Sequence, residues 1–179
     1  MRSIALSLFR SKPQETPFVG PAWYVAAGWA VAAVVAQATF VHYLAIHGVV
    51  PSFVLVVVVW YAIRVDAGRA ALFGLFAGFC EDALSLQTGA AWMISTTLSA
   101  LLASRLSRGF FADSIPLAAG ITMIATLLRA LIFWIVMALS GYPPGLGDLH
   151  FHEAAFAAVL NAAVIIVAMI AARRFPVAR

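Results

Sequence analysis

Three ionisable residues stand inside otherwise apolar stretches of the chain. Glu81 and Asp82 sit side by side in AALFGLFAGFCEDALSL, and Arg129 lies in IPLAAGITMIATLLRALIFWIVMAL. A charge in apolar surroundings is costly unless it is paired, hydrogen-bonded or in reach of water. Two arrangements meet that requirement. Arg129 pairs with Asp82 or Glu81, as a tie between helices or as the wall of a polar pocket. Alternatively, the acids point to the headgroups and Arg129 snorkels after them. Thr122 and Thr126 lie on the Arg129 side of the same helical stretch. They either extend a polar face or bond back to their own helix carbonyls. Gln37 and Asn161 are lone amides of the kind that hydrogen-bond between helices.

Other chemistry finds less support. His150-x-His152-Glu153 offers two imidazoles and a carboxylate, a zinc-type set. An i,i+2 pair converges only on an extended loop, and nothing positions His42 or His47 as further ligands, so no metal site is expected. No Ser or Cys stands beside a His, and GxSxG is absent. Cys80, the single cysteine, reads as a small apolar side chain. There is no P-loop and no GxGxxG, and Gly145-Leu146-Gly147 alone carries no weight. The residues imply neither an enzyme nor a cofactor.

The elements that must position these residues follow from composition. The chain of 179 residues is 64% hydrophobic and 10% charged. Soluble domains run at about 45–50% apolar and about 25% charged. This much apolar surface predicts an all-α membrane protein, because the runs have helical length and lack dyad alternation. Six spans are expected, from about Ala22 to His42, Pro51 to Ile63, Arg69 to Leu86, Ala90 to Ser104, Pro116 to Ser140 and Glu153 to Ala172. Pro51 is expected to open the second, which is short for a bilayer. The longest piece outside the spans, about Gly141 to His152, is expected to be an outer loop. Residues 1–20 and 175–179 read as tails flanking one transmembrane domain, 21–174. The N-terminal tail is not read as a signal peptide.

The 11 Lys and Arg decide orientation. All but Arg129 fall before the first span, after the sixth, or in the connections Arg64–Arg69 and Arg105–Arg108, on one side of a six-span chain. The positive-inside rule makes that side cytoplasmic, with both termini inside. The same distribution explains the net charge of +4 without nucleic acid as a partner. Asp82 lies thirteen residues past Arg69, and Arg129 thirteen past Pro116. At 1.5 Å per residue both stand roughly 20 Å from the cytoplasmic edge, at matched depth.

Ala70, Gly74, Gly78 and Asp82 recur every four residues, as do Ser95, Ser99 and Ala103. Each set forms a stripe of small residues that lets another helix approach closely.

The order of these features resembles the MreD family of bacterial rod shape-determining membrane proteins. The resemblance is carried by Pro51 opening a short apolar span, the basic turn Arg64 to Arg69, then Gly74-x-x-x-Gly78-x-x-x-Asp82 with Ser85 and Gly89, and the basic connection Arg105 to Arg108. It covers roughly residues 20 to 175. Glu81 departs from it, where an apolar residue is expected, and Arg129 matches no family position. The resemblance implies a non-enzymatic component of the cell-wall elongation machinery in the bacterial inner membrane. Its partners would be membrane lipid and an MreC-like bitopic protein, and through it MreB, RodA and a penicillin-binding transpeptidase. The family is also similar in fold to the substrate-capture subunits of energy-coupling-factor transporters. The alternative function is therefore ligand capture in an outward-facing pocket.

Overall fold

The structure, a computed structural model, describes residues 21–40, 43, 45–46, 48–85, 88–108, 114–141 and 143–174. The tails at 1–20 and 175–179, and His42 and His47, lie outside the described residues. Each apolar run forms a helix: α1 (Trp23–Phe40), α2 (Phe53–Ala62), α3 (Ala67–Leu84), α4 (Ala91–Ser107), α5 (Ile115–Leu139) and α6 (Gly147–Arg174). No strand occurs among the described residues. Three helices, α1, α5 and α6, are long and apolar enough to cross a membrane. The others fall short for visible reasons. The helix α2 has ten residues, α4 has 17 with six Ser or Thr, and α3 carries Arg69, Glu81 and Asp82.

Two boundaries differ from the sequence reading. Pro51 does not open α2. Ser52 is the N-cap, its Oγ accepting from Leu55 N at 3.3 Å, and Pro51 stands before the cap. The segment expected as an outer loop is mostly helix, since α6 begins at Gly147 after a 3-10 turn, Pro144–Leu146. Asp148 in its first turn complements the helix dipole there. The turn signals of Pro143, Pro144 and Gly145 therefore end at the helix start, six residues earlier than expected.

The centre of the bundle is α2. It packs against all five other helices. Val54, Leu55, Val56, Val58, Val59, Tyr61 and Ala62 are buried, so it is apolar on every side, as a core helix must be. Small residues let the neighbours close on it: Ala26, Ala30 and Ala33 from α1, Ala70 and Ala77 from α3, Ala100 and Ala103 from α4, and Ala118 and Ala125 from α5. The outside inverts the soluble pattern. Leu72 is 70% exposed and Phe79 60% exposed, while Ser95, Thr96, Ser99 and Thr122 are fully buried.

The antiparallel pair α3 and α4 packs along the glycine stripe of α3, whose nearest neighbours on α4 are Trp92, Met93, Thr96, Thr97 and Ala100. A Cβ on Gly74 would stand 2.7 Å from Ala100 Cβ and 2.9 Å from Thr96 O. On Gly78 it would stand 2.6 Å from Met93 Cα and 2.7 Å from Trp92 O. Those neighbours are largely backbone and cannot swing away. Within α4, the Ser99 hydroxyl donates to Ser95 O at 2.8 Å, and that of Ser95 to Trp92 O at 3.2 Å. The serines thus bring small volume without stranded polar groups. Gly120 on α5 has nothing within 4 Å of an added Cβ. Gly78→Leu should therefore cost more than the ~1–3 kcal/mol typical of overpacking, and Gly120→Leu well under 1 kcal/mol. Thermal unfolding midpoints of the two purified variants, compared in one detergent, check this; equal midpoints would remove the stripe as a packing surface.

Candidate functional site

The start of α2 lies inside the bundle, and its free backbone N–H groups must be satisfied there. Two other helices and the N-cap itself supply the acceptors. Ser52 N donates to Asn161 Oδ1 on α6 at 2.7 Å. Val54 N donates to Gln37 Oε1 on α1 at a long 3.5 Å. Ser52 Oγ takes Leu55 N, and Ser52 O takes Val56 N at 3.1 Å. The two lone amides of the sequence are thus caps, assembled in space from helices far apart in the chain. Asn161 is itself fixed, its Nδ2 donating to Thr126 Oγ1 at 3.1 Å. Thr126 and Thr122 also donate to the carbonyls four residues back, each at 2.7 Å. Thr126 therefore does both things open to it: it closes a bond on its own helix and accepts one from another.

Arg129 stands against the same cap. Its Nη1 donates to Ser52 Oγ at 2.8 Å, and its Nη2 to Glu81 Oε2 at 2.6 Å. The Arg129 and Glu81 side chains are 6% and 9% exposed. Thr96 on α4 adds a weak donor to the same carboxylate oxygen at 3.4 Å. The guanidinium carbon lies 4.4 Å from the centroid of Trp92, a cation–π contact. The rings of Phe133, His150 and Trp134 continue a column from Trp92. Phe133 stacks on Trp92 at 4.1 Å, and His150 lies 5.8 Å from Phe133 and 5.4 Å from Trp134. Arg129 Nε is buried without a hydrogen-bond partner.

Of the two acids, Glu81 meets Arg129 and Asp82 does not. One residue further along a helix turns a side chain by about 100°, and Asp82 faces the start of α4 instead. Its Oδ1 accepts from Thr88 Oγ1 at 2.9 Å and Trp92 N at 3.2 Å, and its Oδ2 from Met93 N at 2.8 Å. The residue before α4, Ala90, has no side chain to cap with, so the aspartate of the preceding helix does it. A carboxylate at a helix N-terminus is also favoured by the dipole. Asp82, Gly78 and Gly74 thus serve one purpose, the docking of α4 on α3.

The remaining candidates separate. His150 Nε2 lies 3.1 Å from Ala130 O, and its ring belongs to the aromatic column. His152 and Glu153 are exposed on the first turns of α6. Being helical, the His-x-His pair does not converge on one point. No group of three or more His, Cys, Asp or Glu side chains comes together among the described residues.

Two cavities flank the ion pair. One, of about 360 Å³, is bounded by Gln37, Ser52, Trp92, Arg129, Phe133 and Asn161 among others. The second, of about 300 Å³, lies between α1 and α3 and is bounded by Val34, Gln37, Val54, Glu81, Leu84, Ser85 and Trp92. The two share Gln37 and Trp92. Sequence reasoning missed Ser52 and Trp92 as partners of Arg129. Ser52 was visible as a cap signal before an apolar run, but nothing local connects it to a residue 77 positions away.

No family model, curated protein or solved structure matches the chain.

Breaking a buried pair by removing one partner costs about 3–5 kcal/mol, whereas replacing both with apolar groups is often neutral or better. Arg129→Met and Glu81→Leu should each lower the unfolding midpoint in detergent strongly, and the double variant should recover most of the loss. Asp82→Ala should cost about 0.5–2 kcal/mol, as for a lost cap, and should not be rescued by Arg129→Met. Rescue there, or none at Glu81, would reverse the assignment of the two acids.

Proposed function

We propose that the chain is a six-span protein of the bacterial inner membrane, of the MreD type. In this reading it is a non-enzymatic scaffold of the cell-shape machinery. The observation that carries the reading is the use made of Gly74-x-x-x-Gly78-x-x-x-Asp82, the stretch on which the resemblance chiefly rests. Its three residues act together, the glycines admitting α4 and the aspartate capping it. A short motif with one joint structural task is a more specific likeness than apolar composition alone. The inverted surface, apolar outside and polar inside, supports immersion in lipid.

In this reading α2 crosses only part of the bilayer. Ten residues rise about 15 Å against a core of about 30 Å, and the segment 48–52 completes the crossing. With the basic connections in the cytoplasm, the caps on α2 stand near mid-membrane and the two cavities toward the outer side. Partner contacts would be made by the apolar outer faces, first with an MreC-like bitopic protein and through it with MreB, RodA and a transpeptidase.

The 360 Å³ cavity favours a second reading, a substrate-capture subunit of an energy-coupling-factor-type transporter. Depletion of the protein in its rod-shaped host separates the two. The scaffold reading expects rounding of the cells within a few generations, unchanged solute uptake and co-purification of a bitopic periplasmic protein. Unchanged shape with an ATPase-bearing transporter core in the purified complex would overturn it in favour of capture.

A further inference from the structure

We propose that the paired cavities beside Trp92 form a binding site for an uncharged amphiphile whose head both donates and accepts hydrogen bonds, as a primary amide or a hydroxyl does. The inference rests on the membrane reading and not on the cell-shape assignment.

Charge comes first. Arg129 and Glu81 are the only buried charged side chains among the described residues, and they neutralise each other at 2.6 Å. A further net charge entering these clefts would lose part of its hydration and find no unpaired opposite charge to repay it. Glu153 borders the larger cavity but is exposed, so water and salt screen it.

The unspent hydrogen bonds define the head. Gln37 spends its Oε1 on Val54 N, and its Nε2 has no partner among the described residues. Glu81 receives Arg129 and Thr96 on Oε2 alone, leaving Oε1 without a partner among them. Both residues border the smaller cavity, together with Ser85. A head placed there meets the free donor of Gln37 and the free acceptor of Glu81, the demand of an amide or a hydroxyl. A carboxylate would leave Glu81 facing a second anion. An ammonium would leave the Gln37 donor facing a cation.

The walls define the body. Val34, Val54 and Leu84 line the smaller cavity, and Leu55 and Phe133 the larger. Such enclosures, apolar with a few convergent polar groups, are the usual form of small-molecule sites. The faces of Trp92 are already taken by Arg129 and Phe133, so the site does not require an aromatic ligand.

Trp92 borders both cavities and makes a reporter. In a full-length variant keeping only this one of the five tryptophans, purified in phosphatidylcholine nanodiscs, three probes of equal chain length are titrated: octanamide, octanoate and octylamine. Octanamide should change Trp92 emission saturably, with the two charged probes at least about tenfold weaker, a difference of about 1.4 kcal/mol. Gln37→Leu should weaken octanamide by a similar factor. Ala157→Phe narrows the larger cavity without removing a polar side chain and should also weaken it, which guards against a folding defect in the first variant. Equal responses to all three probes, tighter binding of a charged one, or binding unchanged in both variants would overturn the site. Repeating the titration with dioleoylglycerol in the nanodisc identifies the source of the ligand. Competition by this uncharged hydroxyl-headed lipid supports a site filled from the bilayer, and its absence supports one filled by free molecules. A shape defect on depletion alongside no octanamide response would remove this inference and leave the scaffold reading standing.

Discussion

The structure depends on a helix that starts where helices rarely can. The first turn of α2 opens inside the bundle, and in such surroundings an unsatisfied N–H costs several kcal/mol. The chain meets this demand with side chains from α1 and α6 and with the N-cap Ser52 itself. Once Ser52 Oγ is engaged by Leu55 N, it also accepts from Arg129. The guanidinium then needs an anion, and Glu81 of α3 supplies it. Each buried polar residue in this layer is therefore a consequence of the one before it. Asn161 fixes Thr126, Ser52 places Arg129, and Arg129 holds Glu81. Such a network is stable only when nearly complete, because a partly satisfied one is worse than an apolar core.

Lipid-like surroundings offer little hydrophobic drive between helices, so packing and polar contacts must hold them together. The molecule divides these two means between its halves. The α3 and α4 pair uses close approach: two glycines largely against backbone, and one aspartate cap across the join. The α5 and α6 pair uses polar contacts and rings, through Thr126 to Asn161 and through His150 between Phe133 and Trp134. The helix α1 presents alanines to α2 and adds Gln37 at one end. Trp92 joins the halves. It begins α4 under the Asp82 cap and stacks on both Arg129 and Phe133.

What could be read from the sequence follows the range of each interaction. All six helices were legible because an apolar run of helical length is a local property. The glycine stripe was legible for the same reason, and Gly74 and Gly78 meet α4 as small residues should. The matched depths of Arg129 and the acids were legible through helix rise alone, since both counts start from an end of the bundle. Which acid faces Arg129 was not. Adjacent residues differ in azimuth, and azimuth depends on the rotation of the whole helix, which the contacts of α4 decide. The start of α6 was misjudged because Gly147, Asp148 and two histidines read as loop composition, although an aspartate in a first turn favours a helix. The cap on α2 was hidden for a further reason: its donors and acceptors lie on four separate segments, and no spacing along the chain brings Gln37, Ser52, Thr126 and Asn161 together.

The ion pair itself invites the question of why it persists. An apolar pair of similar volume would cost the fold little, since desolvation consumes most of what a buried salt bridge returns. The caps on α2 do not require Arg129 either, because Ser52 Oγ already serves Leu55 N. What the pair does is put a polar, electrically neutral contact at the border of both cavities. Arg129 borders the larger and Glu81 the smaller. A wholly apolar contact there would let lipid tails fill both spaces without preference. A single unpaired charge would demand a counter-ion. A balanced pair does neither, and it leaves Gln37 Nε2 and Glu81 Oε1 as the local choice offered to a visitor. Stability alone gives little reason to keep Glu81 and Arg129 together; the proposed binding site would give one.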